Sequence, residues 1–145
     1  MSAQQPLLDP PCNTIAYRTI RRKDWFDPDN DSHVKVEAFM RRGPREKPDG
    51  AHDPGDVDGL SLFDSFHMDM KACIESELSC HGVASLHVGH LRNLGLTVIR
   101  DPLDERKLLV TNMPFTNPNN VDQEALLDAV ADSSRIACRC KWKRN

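Results

Sequence analysis

Four histidines, His67, His81, His87 and His90, share one stretch of the chain with Cys73 and Cys80. Imidazole and thiolate are the donor set that suits zinc. The spacing does not follow through, because neither paired C-x2-C units nor an H-E-x-x-H helix is present. Cys80 and His81 are adjacent, so their side chains diverge on an extended backbone. His87 and His90 can share a helix face, but two ligands do not close a site, and no metal is assigned. Cys80-His81 is also the local candidate for a thiol activated by a base. Sequence neighbours rarely form such a pair, which leaves Cys73 as core and Cys138-x-Cys140 as incidental. Cations gather in three places: Arg18, Arg21, Arg22 and Lys23 with Trp25; Arg41, Arg42, Arg45 and Lys47; and Lys141-Trp142-Lys143-Arg144. Guanidinium groups beside stacking indoles form an anion-binding face, so nucleic-acid contact is one alternative. Asp24, Asp27, Asp29 and Asp31 follow the first group and oppose a polyanion there.

These side chains must be held by regular elements. Residues 15–20 (IAYRTI) mix β-branched and aromatic residues and predict a strand, with Tyr17 and Arg18 on opposite faces. A turn at 27–31 precedes Val34, Val36 and Ala38, whose alternation predicts a second strand over 34–39. Residues 41–59 hold three prolines and four glycines with almost nothing apolar, and read as a mobile loop inserted in the domain. Leu60 to Phe63 predict a strand, after which Asp64 or Ser65 caps a helix over 66–79. Phe66, Met70, Cys73, Ile74 and Leu78 form the apolar stripe of that helix. Ser85 caps a shorter helix over 86–94, and Gly95 fits its C′ position, where positive φ ends a helix at little cost. Strands at 96–99 and 107–111 follow, antiparallel because their link is too short for a crossover helix. A last helix spans 121–136, with Leu126, Leu127, Val130 and Ala131 inward.

At 145 residues the chain is the size of one domain. Hydrophobic residues make up 39% and charged residues 28%, with a mean hydropathy of -0.56, which excludes a coiled coil and a wholly disordered chain. Nineteen Lys plus Arg against 22 Asp plus Glu leave a net charge of -3, without the excess of a dedicated nucleic-acid coat. No run approaches the roughly 18 apolar residues of a membrane span. The first residues, MSAQQPLLDPPCNT, lack the pattern of a signal peptide, so the reading is soluble and cytoplasmic, with no membrane partner. Five cysteines, an odd number, read as reduced thiols. The organisation expected is an N-terminal arm over 1–14, one domain over 15–137, and a basic tail over 138–145. The fold class is α+β, a small mixed or antiparallel sheet packed by about three helices.

The segment GVASLHVGHLRNLGLTVIRDP (82–102), with Tyr17-Arg18 and Asp58-Gly59-Leu60-Ser61 upstream, resembles a family of small uncharacterised bacterial domains over about residues 15–115. That resemblance implies a stand-alone domain and carries no activity. The order of Arg18, Ser61 and the pair Glu75 and Glu77 is similar to that of the ADP-ribosyltransferases. It implies Arg18 on the phosphates of NAD, Ser61 supporting the site, and Glu77 stabilising a ribosyl cation. Tyr17, Arg18 and His87 are then the cofactor contacts. No Ser-Thr-Ser triplet surrounds Ser61, and the glutamates fall on a predicted amphipathic helix, where a solvated face is the ordinary role. The function favoured is therefore a small interaction or accessory module with a protein partner and no cofactor, with the NAD-using enzyme as the alternative.

Overall fold

The computed structural model describes residues 9–26, 33–43, 45–53, 55–75, 80–114 and 121–139. Its described residues form eight strands and three α-helices, in the order β1 (Ile15–Ile20), β2 (Arg45–Glu46), β3 (His52–Asp53), β4 (Leu60–Asp64), α1 (Met70–Glu75), β5 (Gly82–His87), α2 (Val88–Asn93), β6 (Val98–Arg100), β7 (Lys107–Val110), α3 (Val121–Ser133) and β8 (Arg135–Arg139). Six strands form one antiparallel sheet in the order β6-β7-β4-β1-β5-β8, and β2 with β3 make a separate hairpin. The α+β class expected from the sequence is the class observed.

Strand alternation sorts the side chains onto two faces. Ala16, Ile20, Leu60, Leu62, Ala84, Leu86, Val98, Leu108 and Val110 build the larger core with Phe39, Val88, Leu91, Leu127, Val130 and Ala131 from the helical segments above them. On the reverse face Phe63, Val83 and the half-buried Tyr17 meet Met68, Cys73 and Cys80 around α1. Gly95 takes φ +91 behind α2, as its C′ position requires.

Several expected elements are corrected. The strand over 34–39 is absent: Val34 makes a lone bridge to Phe26, and Val36–Phe39 is a 3₁₀ turn. Ala38 and Phe39 are both buried, which neighbouring residues of a strand cannot achieve on one face. The helix begins at Met70 rather than 66, because the Asp69 carboxylate caps it by accepting the Ala72 N–H at 2.8 Å. Residues 76–79 lie outside the described residues. Ser85 caps no helix. It sits within β5, which runs on to His87 because all six of its residues pair with β1. The strand expected at 96–99 is Val98–Arg100. The last helix stops at Ser133, and the chain re-enters the sheet as β8, where Ile136 faces Ala84 instead of extending the helix. The supposed tail therefore begins inside the sheet.

Two segments expected to lack regular structure hold to the fold through polar bonds. Within 41–59, the buried Arg41 side chain donates to Asp56 O, Val57 O and Thr111 O at 2.8–3.0 Å, and the β2–β3 hairpin follows. Gly55 has φ +75, where a Cβ would lie 2.3 Å from Arg42 O. Among residues 9–14, Cys12 O and Thr14 O accept the Gly89 and Val88 N–H groups at 2.8 and 3.0 Å, which ties this stretch to the start of α2.

Candidate functional site

The end of β4 has a hydrophobic run closed by an acid, Leu-Ser-Leu-Phe-Asp, and that acid helps to shape a cleft. Asp64 ends the strand in a turn: its Oδ1 accepts the Phe66 N–H at 2.9 Å, and its carbonyl accepts those of His67 and Met68 at 3.0 and 2.9 Å. The turn lifts Phe66 out of the core, leaving it 86% exposed, with its ring edge-on to His67 at 5.1 Å. Asp64 itself is 2% exposed and meets Arg100 of β6 at 2.5 Å, while Arg100 also donates to Glu105 O at 3.0 Å. From the other side Asp9 accepts the Arg100 backbone N–H at 3.2 Å. The space enclosed is about 630 Å³, walled by Pro11, Thr14 and Ile15 opposite Ser65, Phe66 and His67, with the Arg100–Asp64 pair against it. A volume of this order is that of a binding cleft, with a few convergent polar groups in a largely apolar wall.

A smaller cleft of about 260 Å³ lies elsewhere, lined by Arg18, Arg21, Arg22, Trp25 and Arg42 together with Glu37, Met40 and Asp56. It brings together parts of two cationic groups that are distant in sequence, with Arg18 at 5.9 Å from the Trp25 ring centroid. Acids temper it. Arg22 pairs with Asp24 at 3.1 Å and Arg42 with Asp53 at 2.5 Å. The Arg42 guanidinium and the Gly55 N–H hold the Asp53 carboxyl down at about 2, so this acid stays ionised at neutral pH.

The residues singled out in the sequence are dispersed. Arg18 is buried, donating to Ala38 O at 2.7 Å and Ser61 O at 3.1 Å, so it grips the Ser61 backbone and not its hydroxyl. By strand alternation Ser61, Tyr17 and His87 project from the face opposite to Arg18. Glu75 ends α1 and is exposed, and Glu77 lies outside the described residues. The structure thus does not bring Arg18, Ser61, Tyr17 and His87 to one cleft. His67 lines the larger cleft; His87 and His90 are exposed, and Cys73 and Cys80 are buried around α1, the Cys80 thiol donating to Gly82 O at 3.2 Å. Among the described residues, no three His, Cys, Asp or Glu side chains group as metal ligands, and no helix is long and apolar enough to cross a membrane. The cationic residues 141–144 also lie outside the described residues.

Phe66 and Arg100 escaped the sequence reading. Phe66 fits the helical apolar stripe by spacing, and the one sign against it is the Asp64-Ser65 pair just before, which favours a turn. Arg100 ends an apolar strand as Asp64 ends another; only their pairing across the sheet gives either a role. No family model, curated protein or solved structure matches this chain.

Proposed function

We propose that this protein is a small interaction module, without catalysis of its own, that holds a short segment of a protein partner in the cleft beside Phe66. The observation that carries this is a large aromatic side chain left 86% exposed at the rim of a mostly apolar cleft of about 630 Å³. A phenyl ring has a large apolar area to bury, and aromatic anchors carry a disproportionate share of interface energy. The polar contribution is directional: the Arg100–Asp64 pair, Asn13 and His67 present charge and hydrogen-bonding groups to a backbone laid over the ring. Selection of a displayed random-peptide library on the full-length protein tests the reading. Peptides with an apolar anchor should be enriched, and Phe66→Ala should weaken each by about tenfold or more, equal to about 1.4 kcal/mol. Because Phe66 lies outside the core, the variant should keep the parent's melting temperature. Absence of enrichment, or equal capture by the variant, would overturn the proposal.

A second reading rests on the smaller cleft, where Arg18, Arg21, Arg22 and Arg42 converge beside Trp25. It supports contact with a polyanion such as single-stranded nucleic acid.

A further inference from the structure

The two edges of the six-stranded sheet are finished differently. An edge strand presents a row of backbone N–H and C=O groups that will pair with another chain unless something blocks them. At β6 they are blocked: the Arg92 side chain donates to Val98 O at 2.9 Å, and Asp9 accepts the Arg100 N–H at 3.2 Å. β8, at the opposite edge, pairs with β5 on one side, and no strand or side-chain cap covers its outer side among the described residues. Arg135 opens this strand exposed, its guanidinium turned to the carbonyls of Asp132 and Ser134 at 3.3 and 3.0 Å. Asp132, the nearest acid in sequence, faces His33 at 3.1 Å. From Ser134 to the last residue the sequence has five cations (Arg135, Arg139, Lys141, Lys143 and Arg144) and no acid.

We infer that the open edge of β8 is a docking site for an acidic, extended peptide segment of a partner, which adds a seventh strand to the sheet. The backbone ladder provides the pairing, and the exposed Arg135, in a strand that contains no acid, selects the sign of charge. A second copy of this chain fits less well. Antiparallel self-pairing about Ala137 would set Arg135 against Arg139, and like charges directly opposite each other destabilise a strand pair. The surface is separate from the Phe66 cleft, which lies toward the β6 side of the sheet, and does not depend on it.

The test titrates the full-length protein with two fluorescent octapeptides, one alternating Glu with Val and one alternating Lys with Val. Anisotropy and backbone hydrogen exchange are followed together. The Glu peptide should bind, lose affinity several-fold between low and about 0.5 M salt, and protect the amides of 135–139. Arg135→Glu, an exposed position, should weaken it at least about fivefold by reversing a charge at the ladder's start. Phe66→Ala should leave this binding unchanged, which separates failure here from failure of the cleft. Absence of binding, equal binding of the Lys peptide, binding that leaves 135–139 exchanging as before, or dimerisation through β8 would each overturn the inference.

Discussion

Asp64 and Arg100 show how much depends on two side chains that end strands. Taking both charges out of water is costly, and the pair persists because each is satisfied at close range: Arg100 meets Asp64 at 2.5 Å, and Asp64 also accepts the Phe66 N–H. Removing one partner leaves the other charge buried, which costs far more than losing a surface pair. Asp64→Ala should therefore lower unfolding stability by about 3–5 kcal/mol. Urea denaturation measures this directly, and a loss below about 1 kcal/mol would show that water already solvates the pair. Neither residue was legible as a site in the sequence, since a lone acid and a lone arginine at strand ends are ordinary until the register across β4, β7 and β6 places them together.

Among the elements, β4 depends on the turn that admits it. Gly59 precedes it with φ +140, and a Cβ there would lie 2.8 Å from Val110 O of β7, a backbone atom that cannot swing aside. Gly59→Ala should destabilise the protein by about 1–3 kcal/mol. Gly50 is the control: at φ +87 it has open space around it, so its alanine variant pays the conformational cost without the clash. Equal melting temperatures for the two variants would remove the steric argument. Elements whose periodicity agreed with their environment were readable: residues 15–20, 60–63 and 107–111 fall on β1, β4 and β7. Those that failed did so for local reasons. Ile136 continues the helical spacing of α3, so β8 was hidden at its end, and Val34 and Val36 alternate without having a neighbouring strand to pair with.

For the whole molecule, net charge and local charge point in different directions. A chain of net -3 draws a polyanion by a concentrated patch or not at all. If the Arg18, Arg21, Arg22 and Arg42 cleft engages single-stranded nucleic acid, binding of an oligonucleotide should fall steeply with salt, and Arg21→Ala should lower the slope by about 0.7. A flat response would end that reading. Composition and periodicity were enough to determine the α+β class, most strands of the sheet and the inward face of α3, because these depend on local propensity and on how often an apolar residue recurs. Strand order, the Asp64–Arg100 pair, the exposure of Phe66 and the contrast between the two sheet edges were decided by tertiary structure alone. Each is a relation between residues far apart along the chain, and no spacing within a segment records which distant backbone will lie beside it.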